Sequence, residues 1–456
     1  MERLKEKIIT SLSNKDFKNL KDLLNDDEVN DADIAEILDE LSQEKALVLF
    51  RMLKKDTAAS VFSWLSVESQ HMIISASSDK ELANIIEELY TDDAVDALEE
   101  LPANVVRKIL ESTSAETRNL INQFLNYPED SAGSIMTSEY IGLKKKMTVA
   151  EAFSYIRQHA VDKETIYTCY VTDANRYLEG IISVRTLILH SDDTIIEDIM
   201  LKNYIYSNTN ENRELVVDKF NKYDLLSIPV VDNENRLVGI VTIDDALDVM
   251  EQEATEDFEK MAAISPSEKP YLKTSAITLA KNRITWLIVL MLADTMSGSI
   301  LRYYDDAIAK FPLLVAAVPM LIDTGGNAGN QSSTMIIRGL AIGEVKIKDF
   351  FKVIFKELQV GLIAATILAS VNLLRLVIMS VIRHENDTEH MLINVAMCLS
   401  IYCIVVFSKL IGAMLPMFAV TLKMDPAIMA GPLITTVVDA FGLIIYFLIV
   451  GLFLPI

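Results

Sequence analysis

Asp439 stands in the last apolar stretch of the chain, Gly431-Pro-Leu-Ile-Thr435-Thr436-Val-Val-Asp439-Ala-Phe-Gly-Leu-Ile-Ile-Tyr446, with no basic residue after Lys423. A carboxylate at a membrane-helix centre costs ~2.5 kcal/mol or more, so such acids persist where they meet water, a counter-charge or an ion. No counter-charge lies in its own segment, and a cation is the leading candidate. Thr435 and Thr436 precede Asp439 by four and three residues, so a helix puts all three on one face. A carboxylate with two hydroxyls one turn away suits a hydrated divalent ion such as Mg2+, which keeps several waters and takes one or two carboxylates. One such Asp per chain makes a poor site, and a homodimer with two copies at one axis would supply the field. The competing structural reading is a protonated or hydrogen-bonded buried acid.

An earlier apolar stretch, Phe311-Pro-Leu-Leu-Val-Ala-Ala-Val-Pro319-Met-Leu-Ile-Asp323-Thr-Gly-Gly-Asn327-Ala-Gly-Asn330-Gln331-Ser-Ser-Thr334, carries a run of small and amide residues. Asn327, Asn330 and Gln331 could hydrogen-bond the water shell of an ion and are candidate pore-lining residues. The glycines equally suit close helix packing. Its two prolines remove helix donors and predict a broken span.

These segments need a bilayer around them, and the composition supplies one. The chain has 456 residues, 51% of them hydrophobic, yet carries a net charge of -23. From Ile284 onward there are 12 acidic and 11 basic residues, so nearly all the charge lies in the first 283 residues. Five apolar stretches follow, at 284–301, 311–337, 353–382, 391–420 and 427–454, several longer than the ~20 residues a span needs. Lys269, Lys273, Lys281 and Arg283 precede the first, five basic residues from Arg338 to Lys356 lie between the second and third, and Lys423 lies before the fifth. The positive-inside rule then predicts cytosolic N-terminal domains, a multi-pass plasma-membrane protein and a C-terminus outside. The start, Met1-Glu-Arg-Leu-Lys-Glu-Lys, is no signal peptide. The acidic half excludes a nucleic-acid partner and suits cations. Cys169, Cys398 and Cys403 lack disulfide or zinc spacing. No P-loop or nucleophile–base pattern points to an enzyme.

Within the acidic half, residues 1–128 read as short amphipathic helices with a degenerate repeat, Ala35–Leu53 resembling Leu82–Leu110. Residues 129–250 contain a second duplication. Tyr170-Val-Thr-Asp-Ala-Asn-Arg-Tyr-Leu-Glu-Gly180-Ile-Ile-Ser matches Val230-Val-Asp-Asn-Glu-Asn-Arg-Leu-Val-Gly239-Ile-Val-Thr, each a strand, a turn and a strand before a helix start. Ile135-Met136 and Ile199-Met200 open the two copies. This resembles a tandem pair of cystathionine-β-synthase (CBS) domains. Gly239-Ile-Val-Thr242-Ile-Asp-Asp245 matches that family's nucleotide motif, which implies Thr242 on phosphate and Asp245 on ribose of a nucleotide such as ATP. The first copy has Arg185 in place of the acid.

The whole chain resembles the MgtE family of magnesium channels. The specific elements are Gly325-Gly-Asn-Ala-Gly-Asn-Gln331, Arg338-Gly-Leu-Ala, Lys356-Glu357, Asp425-Pro426-Ala427 and Gly431-Pro-Leu-Ile-Thr-Thr-Val-Val-Asp439. The resemblance implies an all-α helical-repeat N domain (1–128), an α/β tandem CBS pair (129–250), a connecting or plug helix (251–281) and an α-helical membrane domain with five spans (282–456). It implies a homodimer whose second and fifth spans line a Mg2+ pore, with Asp439 as the pore acid. It further implies cytosolic domains that bind Mg2+ and close the pore. The regulatory acids would be Asp92 and Asp96 in the N domain, Asp224, Asp245 and Asp248 in the CBS pair, and Glu253, Glu256 and Asp257 on the plug helix. Asn212 replaces a carboxylate of some relatives, and Asp294 stands where relatives are more apolar. Two other functions stay open at this point: a secondary exchanger coupling a divalent cation (Mg2+, Mn2+ or Co2+) to H+ or Na+, and a non-transporting sensor.

Overall fold

The computed structural model describes residues 2–26, 28–99, 101–267, 271–272, 274–384 and 388–454. Lys269 and Lys273, invoked above for orientation, lie outside them. The chain forms two compact bodies, Met1–Glu251 and Gln252–Ile456.

Among the described residues, the first body begins with ten helices: α1 (Glu2–Ser13), α2 (Phe17–Leu24), α3 (Asp31–Glu40), α4 (Gln43–Phe50), α5 (Lys55–Ser63), α6 (Val67–Ala76), α7 (Asp79–Ile86), α8 (Thr91–Glu99), α9 (Ala103–Ser112) and α10 (Ala115–Phe124). Polar caps start many of them; Ser78 and Glu81 close a reciprocal capping box on α7. Helices pack on the next but one, α3 on α5, α5 on α7 and α7 on α9, with α4 on α6 and α8 on α10. That two-layered stacking is what a helical repeat produces, because no single hairpin can bury its own apolar face.

The CBS pair follows as β1 (Gly142–Leu143), α11 (Val149–His159), β2 (Thr168–Thr172), β3 (Leu178–Ser183), α12 (Val184–Ile188) and α13 (Ile196–Ile199), then β4 (Ser207–Asn208), α14 (Arg213–Tyr223), β5 (Ser227–Val231), β6 (Leu237–Thr242) and α15 (Ile243–Met261). Each copy has a three-stranded sheet, β1-β2-β3 and β4-β5-β6, with one parallel and one antiparallel pairing. The copies exchange their lead-ins. Thr137 pairs with Ile240 of β6, and Leu201 pairs with Ile181 of β3. A side chain at Gly239 would meet the Thr137 carbonyl oxygen at 2.6 Å, which is why a glycine opens the repeated motif. One apolar core joins Leu82, Val95 and Phe124 of the helical region to Val216, Phe220 and Ile228 of the second copy. α15 runs without a break from the second CBS copy through residue 251, the expected start of the connecting segment.

The second body contains the end of α15 and then α16 (Ala276–Tyr303), α17 (Asp305–Lys310), α18 (Leu313–Ala341), α19 (Phe350–Arg383), α20 (Thr388–Thr421) and α21 (Gly431–Phe453). Among the described residues, four helices are long and apolar enough to cross a membrane: α16, α19, α20 and α21. The polar run makes α18 fall short on composition, although at 29 residues it is long enough. It packs centrally, against both α20 and α21. The expectation of broken spans is corrected here: α18 runs through Pro319, and Pro432 sits in the first turn of α21, where a missing donor costs nothing. The glycine run serves backbone contact, since a side chain at Gly412 of α20 would lie 2.1 Å from the Gly329 carbonyl oxygen.

Candidate functional site

Asp439 lies two turns into α21, partly buried, and its Oδ1 is buried with no hydrogen-bond partner. The hydroxyls of Thr435 and Thr436 share its face, and both donate to the Pro432 carbonyl at 2.8 Å. Their protons are spent on the helix, so what they can offer an ion or its water is oxygen lone pairs. The charges that act on Asp439 come from two acids on other helices, Asp294 of α16 and Asp323 of α18. Sequence alone gave neither a role. Asp323 could have been found there, because it precedes Asn327 and Gln331 by four and eight residues. These three and Thr334 are exposed along α18. Asn330 Oδ1 accepts from the Gly431 amide at 3.0 Å and holds the start of α21.

The start of α21 also receives the end of α15. Gly431 has φ +46°, and a side chain there would lie 2.5 Å from the Met261 carbonyl oxygen. Lys260 bridges Glu256 at 2.5 Å and Asp425 at 2.7 Å, while Asp425 caps the Ala427 amide. Glu256 therefore has a lysine where the family resemblance implied Mg2+. Asp257 sits close by, its carboxyl raised by burial and by the charge of Asp425. Glu253 is partly buried on the same helix.

In the first body, α8 brings Asp92 and Asp93 against the opening turn of α15, which carries Asp244 and Asp245. Asp92 is only 9% exposed, and its Oδ1 has no partner; Glu164 is partly buried, with its Oε2 inaccessible and unpartnered. Burial, then the neighbouring carboxylates, raises Asp92, Asp93, Asp245 and Glu164. Asp92 lies well above the usual range, Asp93 and Asp245 at about 6, and Glu164 at about 8. The Glu139 carboxylate accepts from the Thr91 hydroxyl at 2.8 Å and the Thr137 hydroxyl at 2.6 Å. Glu139 thereby holds the first turn of α8. Asp96 is exposed at the rim, within electrostatic reach of Asp93 and Asp245. Asp248 is exposed one turn along α15.

Asp224, Asn212 and Thr242 also lie in the first body. Asp224 takes the left-handed C-cap of α14, exposed, and is not among the acids acting on Asp92. Asn212 caps α14 by accepting from the Glu214 amide at 2.9 Å. Thr242 donates to Asp245, and both face the carboxylates of α8, so a nucleotide phosphate placed there would meet several like charges. Among the described residues no three acidic, histidine or cysteine side chains converge as a closed metal cage. An ion here would keep water between itself and the carboxylates, the habit of Mg2+.

Comparison with known proteins bears on both bodies. Residues 318–449 match the MgtE model described as a divalent cation transporter, residues 29–130 match the MgtE intracellular N domain, and residues 132–193 and 196–252 match CBS domains. The magnesium transporter MgtE of Thermus thermophilus is 36% identical over 99% of both chains. The chain belongs to the MgtE family of magnesium transporters. The family member of Bacillus subtilis is 31% identical, over 92% of this chain and 91% of its own. A solved structure, the cytosolic domain of the Mg2+ channel MgtE in complex with ATP, superposes with a TM-score of 0.51 at 36% identity, covering 53% of this chain and 98% of that one. The domain order read from the sequence is thus the family's: MgtE N domain, CBS pair and helical membrane region. Family membership also makes this a transporter rather than an enzyme.

Proposed function

We propose that the protein is a homodimeric Mg2+ channel of the plasma membrane, closed by Mg2+ on its cytosolic acids. In this reading α16, α18, α19, α20 and α21 are five spans, the N-terminal domains are cytosolic and the C-terminus is outside. The observation that carries the pore is the uncovered face of α18. Asp323, Asn327, Gln331 and Thr334 are exposed on a helix otherwise packed among apolar spans. Lipid cannot satisfy such a face, whereas a water-filled path shared with a second protomer can. Asp439 borders that path, partly buried, and in this reading its carboxylate takes the hydrated ion. The same site accepts other hydrated divalent ions of similar size, Mn2+ and Co2+. The exchanger reading leaned on broken helices, and α18 and α21 are continuous.

The acids of α8 and α15 supply the sensor. Like charges on separate elements repel, and a divalent ion between them favours the compact state. An ion that prefers that state about 100-fold contributes ~2.7 kcal/mol, so a few such sites give a steep response. ATP, bound by the cytosolic domain of the solved relative, is a further ligand for the CBS pair, away from Thr242 and Asp245.

The full chain in proteoliposomes should pass Mg2+ when Mg2+ on the cytosolic side is low and fall silent at millimolar levels. Protease should cut the soluble half more slowly at the same millimolar Mg2+. No flux under either condition would favour the sensor reading instead. Lys260 gives a second test. Its bridge from Glu256 to Asp425 holds the plug helix at the pore entrance without any metal. Lys260→Met should raise the Mg2+ concentration needed for closure several-fold, about 1 kcal/mol in docking. An unchanged closing midpoint would show the bridge to be idle.

A further inference from the structure

Lys409 has no part in that reading, yet it is a lysine 6% exposed inside α20. An ammonium at such a place is costly unless its protons find acceptors. All three acceptors lie on one turn of α18: the Ala328 carbonyl oxygen at 3.4 Å, Gln331 Oε1 at 3.4 Å and Ser332 Oγ at 3.3 Å. The Ser332 hydroxyl in turn donates to Glu357 Oε2 of α19 at 2.5 Å. Its proton faces the carboxylate and its lone pairs face the ammonium. A charge on α20 is thereby balanced by a charge on α19 through a hydroxyl on α18. The crossing is tight, with the position a side chain would take at Gly361 of α19 only 3.7 Å from Lys409 Cβ.

We propose that the buried Lys409 and the partly buried Glu357 are a compensated pair that positions the Asn327–Gln331 turn of α18 beside the ion path and keeps the charge behind it neutral. The inference rests on α18 lining the pore. Gln331 is the link: one side of its turn is bound to Lys409, and the other lies on the exposed polar face. Neutrality matters because a fixed positive charge raises the energy of a divalent cation twice as much as that of a monovalent one. Glu357→Gln leaves Lys409 uncompensated; Lys409→Met leaves Glu357 uncompensated. Removing both restores neutrality with the packing nearly kept.

The test uses the full chain in proteoliposomes, with Mg2+ flux and the Mg2+ to K+ permeability ratio read from reversal potentials. Glu357→Gln is expected to cut Mg2+ flux roughly tenfold and lower the ratio, while the double variant Glu357→Gln with Lys409→Met returns both to within about threefold of the parent. Flux that only follows the amount of folded protein, with the ratio unmoved, would reduce the pair to packing and overturn the inference. A double variant no better than the worse single would do the same. Should Glu357→Gln fail to fold, Ser332→Ala cuts the relay and leaves both charges: lowered flux supports the proposal, parental flux overturns it. Asp439→Ala run in parallel separates the two readings. A conducting Asp439→Ala sinks the pore itself, whereas a silent one beside an indifferent Glu357→Gln sinks only the pair.

Discussion

Asp439→Ala is expected to abolish Mg2+ flux while leaving the protein folded. The side chain contributes one carboxylate oxygen that is buried and has no partner in the protomer. Its loss therefore breaks no hydrogen bond of that oxygen. What disappears is the acceptor for an ion that arrives with its waters. One charged hydrogen bond to a bound water is worth ~1.5–3 kcal/mol, and losing ~2.7 kcal/mol lowers occupancy about a hundredfold. In a homodimer the loss occurs twice at one axis. Asp439→Asn keeps shape and removes charge, and should be nearly as silent; Asp439→Glu keeps the charge and should retain measurable flux. Uptake by a strain unable to import Mg2+, with folded protein verified by gel filtration in detergent, decides the matter. Parental uptake by Asp439→Ala would remove the residue from the path.

The second large effect lies in the acidic cluster and depends on pH. Asp93 and Asp245 stand at about 6 and Glu164 at about 8, against ordinary values of 3.8 and 4.5. Each is raised in the folded state. The stability they lend is fully present below about pH 4, where folded and unfolded chains are both protonated. It is lost as pH rises from about 4, through 6 for the two aspartates and through 8 for Glu164. For Asp93 or Asp245, titrating near 6 in place of 3.8 costs the charged form on the order of 3 kcal/mol. The two together cost less than the sum, because they share one repulsion. Without Mg2+, the packing of α8 on the CBS pair should loosen progressively between about pH 4 and pH 8.5, first with the two aspartates and last with Glu164. Millimolar Mg2+ should restore it at the higher pH, because the ion takes over the neutralising role of the protons. Protease protection of the full chain across this grid reads both effects. In Asp92→Asn with Asp245→Asn the two dependences should flatten together. If that variant kept the parental steepness in both, the cluster would not be the sensor.

Much of this protein is written locally in its sequence. The CBS duplication is legible because strand, turn, glycine and strand recur in order, and each copy folds the same way for the same reason. The apolar stretches reveal membrane helices because a bilayer reads composition and length. Asp439 declares itself by contrast with its neighbours, and its threonines by helical spacing. The family's order of domains follows from those signals alone.

What the sequence could not decide is which groups meet across the fold. Lys409 reads as one lysine in an apolar helix until its acceptors, about 80 residues away on α18, are in place. Thr242 and Asp245 fit a nucleotide motif by spacing, yet packing of α8 turns that motif toward carboxylates. Glu164, in the short loop before β2, has no motif at all and joins the cluster only because the Glu139 carbonyl oxygen accepts its amide hydrogen bond at 2.9 Å. Glu256 is acidic like its neighbours, but Lys260 one turn on also reaches Asp425, far along the chain. In each case the deciding quantity is a distance between charges set by helix packing, and electrostatic energy depends on that distance rather than on separation in sequence.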